Sequence, residues 1–157
     1  MRRILVCGAV ILMPMVGAAV AQQAVAPPHV LVTAAELKWG EPPPVFEKGA
    51  SFTVVSGDPG KVGLFVVRLR MPAGYKIAPH THPTDEHVTV LSGTFALGMG
   101  DKFDKAAMKA LPAGGYALLP ADMRHFAMAT TAATVQVEGL GPFALTYVNP
   151  ADDPSKR

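Results

Sequence analysis

The chain has 157 residues, half of them apolar, with 14 basic and 12 acidic side chains and a single cysteine. That length supplies one hydrophobic core and falls short of two ordinary domains. So small a positive excess argues against nucleic acid as a partner.

Arg2 and Arg3 precede an apolar run from Ile4 to Val20 that closes in Ala19-Val20-Ala21. This is the pattern of a secretory signal peptide, residues 1–21, with cleavage after Ala21. Gly8, Pro14 and Gly17 interrupt the run and no stop-transfer pattern follows, which argues against a membrane anchor. Cleavage removes Cys7 with the two arginines and leaves twelve basic against twelve acidic residues, so the mature chain is expected in the periplasm, thiol-free and detached from the membrane. Disulfides, thiolate metal sites and thiol nucleophiles are thereby excluded, and nitrogen, oxygen and thioether ligands remain.

Residues 22–44 are rich in Ala and Pro. The Pro42-Pro43-Pro44 run can neither continue a helix nor donate to a strand ladder, so this segment reads as an extended N-terminal arm. Residues 45–150 carry the punctuation of an all-β domain, short apolar runs bounded by Gly, Pro, Asp and Asn. The predicted strands are Ser51 to Val55, Val62 to Arg70, Glu86 to Leu91, Thr94 to Gly98, Gly115 to Leu119, His125 to Ala129, Ala133 to Gly139 and Pro142 to Val148. Strands at this spacing form a barrel or sandwich. Only Asp104 to Ala110 reads as helical, and residues 151–157 read as a solvated tail.

Chemistry concentrates between Gly74 and Gly93. His80, His82 and Glu86 share even parity, and side chains of one parity share a strand face, the face that continues as Val88 and Val90. Three polar groups inside a small barrel need compensation, because each costs about 1 to 3 kcal/mol when buried unpaired. A divalent cation provides it, and His125, opening a later strand, offers a third imidazole. A lone buried histidine is more often satisfied by a hydrogen bond; clustering favours the metal. His87 belongs to the opposite face and His29 to the arm, so neither is a ligand.

The same stretch resembles the first motif of the cupin superfamily: Gly74, five residues, His80-x-His82, three residues, Glu86, six residues, Gly93. The second cupin motif is matched by Gly114, Pro120 and His125, with Asp122 where a glycine is usual and Ala129 where an asparagine is usual. Asp tolerates a left-handed turn almost as glycine does, so the departure at Asp122 leaves the site intact. The resemblance implies a single all-β jelly-roll barrel, or double-stranded β-helix, holding one divalent metal with His80, His82, Glu86 and His125. It also implies a homodimer, the arm from Val25 to Pro44 pairing by strand addition, with a disordered leader as the alternative reading of that arm.

Three imidazoles and a carboxylate suit iron, manganese, copper, nickel or zinc alike. The favoured function is a metal-dependent enzyme acting on a small organic molecule, dioxygenase-type rather than lyase or isomerase. The alternative is a non-catalytic protein that binds a metal or small ligand. Val88, Val90, Phe95, Leu97, Ala127 and Ala129 are the expected apolar lining. Tyr75, Tyr116, Asp85, Arg68 and Arg70 are acid, base or charge candidates by type alone, and Met99, Met123 and Met128 raise a copper-handling variant.

Overall fold

The computed structural model describes residues 29–157; the expected signal peptide, residues 1–21, and residues 22–28 of the expected arm lie outside the described residues. The strands are β1 (Ser51–Ser56), β2 (Gly63–Met71), β3 (Lys76–Thr81), β4 (Glu86–Ser92), β5 (Thr94–Met99), β6 (Lys109–Pro112), β7 (Tyr116–Leu119), β8 (His125–Ala129), β9 (Ala133–Gly141) and β10 (Thr146–Tyr147). They form two five-stranded antiparallel sheets, ordered β1-β2-β9-β4-β7 and β10-β3-β8-β5-β6. The fold is the expected all-β jelly roll, whose two inner faces enclose the core.

Alternation in the sequence builds that core. Along β2, Phe65, Val67, Leu69 and Met71 are buried while Leu64 and Arg70 face out. Along β9, Ala133, Val135 and Val137 are buried, with Val67 directly opposite Val137. Each fully buried Phe or Val contributes about 1.5 to 3 kcal/mol relative to exposure. No helix among the described residues is long and apolar enough to cross a membrane.

Three sequence expectations need correction. Lys76–Thr81, absent from the predicted strands, is a strand, β3; the register against β8 shifts between Ile77 and His80, and this irregularity absorbs Pro79, the residue without an N–H. The helical reading of Asp104 to Ala110 reduces to a single 3-10 turn, Lys105–Ala107, capped by the Asp104 carboxylate accepting from the Ala106 N–H. So short a segment cannot nucleate an α-helix, whereas the free edge of β5 offers ready hydrogen bonds to β6. The last predicted strand, Pro142 to Val148, contracts to β10, because Phe143, Ala144 and Leu145 leave the ladder and line an internal cavity.

Gly93, between β4 and β5, has φ +72°, and a Cβ there would run into the backbone of Ala132 and Ala133. Gly93→Ala is therefore expected to cost about 3 kcal/mol, read as a lower urea midpoint at unchanged slope. Asp122 takes the turn that glycine usually takes, with φ +61°.

Candidate metal centre

His80 lies near the end of β3, His82 just beyond it, Glu86 at the start of β4 and His125 at the start of β8. The residues that parity singled out come together through a different geometry. β3 and β4 belong to different sheets, so the chain crosses the barrel between His82 and Glu86 instead of running on as one pleated strand. His80 and Glu86 then face each other from the inner faces of opposing sheets. His125 comes from the strand beside β3 and is the direct cross-strand partner of His80.

All four side chains are buried. The three imidazoles sit edge to face or tilted, with ring centres 4.2 Å apart for His80 and His125, 4.9 Å for His80 and His82, and 5.3 Å for His82 and His125. Each Nδ1 lies against a backbone carbonyl: Ala78 at 2.7 Å for His80, Ala144 at 2.8 Å for His82 and Met123 at 2.9 Å for His125. A carbonyl can only accept, so each Nδ1 is assigned the proton and each neutral ring presents a bare lone pair at Nε2. Such outer hydrogen bonds fix the orientation of a ligating imidazole and raise its basicity.

The lone pairs have no donor to meet. His82 Nε2 and His125 Nε2 are buried without a hydrogen-bond partner. What stands nearest is another acceptor, Glu86 Oε2, at 3.5 Å from the first and 3.3 Å from the second. Acceptors facing one another in a buried site repel unless a proton donor or a cation lies between them. One potential ligand atom from each of the three histidines lies within 4.8 Å of the others, an arrangement able to hold a metal ion. Burial pushes the His80 imidazolium well below the ordinary histidine value, reinforced by the neighbouring His125 and His82 rings. His82 is lowered too, again chiefly by burial, with Glu86 pulling the other way. The His80 and His82 rings are thus kept in the neutral form that binds metals.

A family described as the ChrR cupin-like domain matches residues 27–144. The chain belongs to this cupin family. No curated protein matches it. Among solved structures, this cupin is similar to a candidate acetylacetone dioxygenase from Methylibium petroleiphilum, at 22% identity over 85% of this chain and 90% of that one, with a TM-score of 0.64. It is similar to a polyketide cyclase from Streptomyces resistomycificus, at 16% identity over 80% and 89%, TM-score 0.65. A third similar structure is an acetylacetone dioxygenase from Acinetobacter johnsonii, at 15% identity over 85% of each chain, TM-score 0.62. Likeness at these identities establishes the shared barrel.

The cupin's metal-ligand candidates open onto a cavity of about 320 Å³. Val88, Phe95, Leu97 and Ala127 line it as expected, while Val90 and Ala129 are buried in the core without lining it. The acid–base candidates stand elsewhere. Tyr75 is buried and donates to the Glu47 carbonyl at 2.6 Å, and Tyr116 is exposed against His87 Nδ1. Asp85 accepts from the Ala121 N–H, Arg68 donates to Gln136, and Arg70 covers the Trp39 ring. None lines the cavity. Neither do Met99, Met123 and Met128; the methionine that does is Met71, so the copper-handling variant loses the thioethers it invoked. His29 is exposed in the arm.

Sequence reasoning missed Phe143, which stacks on the His82 ring at 4.3 Å and 15°, and the Ala144 carbonyl beside it. Both come from a segment some 60 residues distant, and no local pattern marks them.

Proposed function

We propose that this protein is a mononuclear-metal cupin in which Glu86 joins His80, His82 and His125 as the fourth ligand to one divalent ion. The reading includes catalysis on a small organic molecule, dioxygenase-type in preference to lyase or isomerase chemistry. The observation that carries it is the meeting of the Glu86 carboxylate with two unpartnered, buried Nε2 lone pairs at the wall of an apolar cavity.

When bound, the ion supplies Lewis acidity and, if redox-active, one-electron chemistry with dioxygen. The chain's own contribution is selection and shielding. Apart from the four ligand candidates, no ionisable side chain among the described residues lines the cavity, so a sugar, phosphate or polycarboxylate would be desolvated there without compensating partners. A mostly apolar molecule with one oxygen-bearing chelating end fits. Three neutral imidazoles and one carboxylate leave a divalent site near plus one, which favours an enolate or similar monoanion. The similar structures named for acetylacetone dioxygenase activity support a β-diketone as the first compound to try.

Protein purified from the periplasm, with His80→Ala and His125→Ala beside it, tests the metal by plasma mass spectrometry. Near-stoichiometric metal in the wild type, lost in both variants, is expected, together with oxygen uptake on adding a β-diketone to the iron-loaded form. No metal in any preparation and none on reconstitution sinks the reading. A non-catalytic binding role is favoured by the missing acid or base in the cavity lining; saturable ligand binding without oxygen uptake or product would select it.

The same reading places the mature protein in the periplasm as a homodimer. Support for pairing comes from Val30, Leu31 and Val32, apolar and exposed in the arm, and from Gly40, which bridges to the strand edge at Phe52. Sedimentation of a chain truncated before Glu41 should give a monomer; an unchanged dimer refutes pairing through the arm.

A further inference from the structure

Two segments form most of the cavity's partly exposed rim: residues 143–145, and a strap at 43–46 that contributes Pro43, Val45 and Phe46 to the lining. They are held very differently. The first is tied by its backbone, with the Phe143 N–H donating to the Pro59 carbonyl at 2.7 Å and the Ala144 carbonyl accepting from His82. It cannot move without disturbing His82.

The strap has no such backbone tie to the barrel. Pro42, Pro43 and Pro44 lack N–H groups, and the Phe46 N–H donates within the strap, to the Pro43 carbonyl. Its ties to the rest of the described chain come from elsewhere. The Tyr147 hydroxyl donates to the Val45 carbonyl at 2.7 Å, the Tyr75 hydroxyl donates to the Glu47 carbonyl at 2.6 Å, and Arg157 pairs with the Glu47 carboxylate. Gly40, bridged to Phe52, and Gly49, with φ +103°, bound the segment.

We infer that residues 41–48 are a gate to the cavity, swinging between Gly40 and Gly49 and latched shut by the hydroxyls of Tyr75 and Tyr147, with Arg157 of the C-terminal segment as an outer catch. Opening requires breaking two hydroxyl–carbonyl bonds and withdrawing Phe46, and it leaves both sheets and all four ligand candidates in place. Burial raises the Tyr75 phenol to about 12, so its hydroxyl remains a donor across the physiological range. Tyr147 also stands beside the His80 ring, 6.2 Å between centres, so the latch is in contact with the site it guards.

The inference goes beyond the metal reading, and its test does not depend on a bound ion. Ala127→Cys places a single thiol in the cavity wall, with Cys7→Ser added so that any uncleaved chain carries no second one. Labelling by methyl methanethiosulfonate then times access to the cavity. The double variant Tyr75→Phe/Tyr147→Phe, which keeps both rings, should label about tenfold faster than the latched protein, and Arg157→Ala about twofold faster, as befits an exposed pair. Local opening exposes little surface, so these rates should stay flat in low urea. Equal rates with and without the tyrosine hydroxyls would overturn the gate, as would rates that climb steeply with urea, which report global unfolding. Zinc stoichiometry measured on the same preparations tests the metal reading separately.

Discussion

Saturating zinc should raise the stability of this protein by about 4 kcal/mol at a thousandfold excess over the dissociation constant, and His125→Ala should erase that gain while leaving the metal-free protein within about 1 kcal/mol of wild type. A ligand that binds only the folded state stabilises it by mass action, and the four converging groups exist only once the two sheets have closed. The small cost in the metal-free protein follows from the local balance. Truncating His125 gives up its hydrogen bond to the Met123 carbonyl and leaves a void that merges with the neighbouring cavity. It also removes an Nε2 atom that stands 3.3 Å from Glu86 Oε2 without a hydrogen-bond partner. Urea titrations with and without zinc decide the matter. A wild type indifferent to zinc, manganese, iron, nickel and copper would sink the metal centre, and an equal gain in the variant would remove His125 from it.

Much of this was legible in the sequence because both signals are local. Alternation along β2 and β9 is a period-two pattern, and the turn residues between strands are fixed by dihedral needs, as at Gly93 and Asp122. The histidines and Glu86 stood out because their spacing contradicts a filled apolar interior. What stayed hidden depends on other segments. β3 was obscured by Pro79, which survives only because the register shifts beside it, and β6 by a lysine- and alanine-rich run whose strand identity comes from the β5 edge. The carbonyls orienting His80 and His125 lie two residues before each ring, whereas Ala144 and Phe143, which fix His82, arrive from the far side of the fold. The strap was visible as a proline run, but its position over the cavity was not, since Tyr75 and Tyr147 are defined as latches only by the tertiary structure.

Acid should destabilise the metal-free protein from about pH 6.5 downwards, well before its carboxylates titrate. His80 and His82 are both lowered in the folded state, His80 by burial and then by the facing imidazoles, His82 mainly by burial. The sign follows from proton uptake. Above the unfolded histidine value of about 6.5 both states are neutral at these rings and stability is flat; below it the unfolded chain takes up protons that the folded chain refuses. Stability then falls by up to about 1.4 kcal/mol per pH unit for each histidine, and continues to fall until the pH passes the lowered folded-state values. The surface carboxylates of Glu36, Asp58 and Asp153 are lowered as well, but from ordinary values of 4.5, 3.8 and 3.8, so their contribution is lost in a more acidic window. Urea midpoints at several pH values from about 8 to 5 would separate the two windows. His80→Ala should remove about half of the slope near pH 6. A wild-type curve level across this range would mean that the site charges freely in the folded state. It would then not be the buried, neutral cluster of lone pairs on which the metal assignment rests.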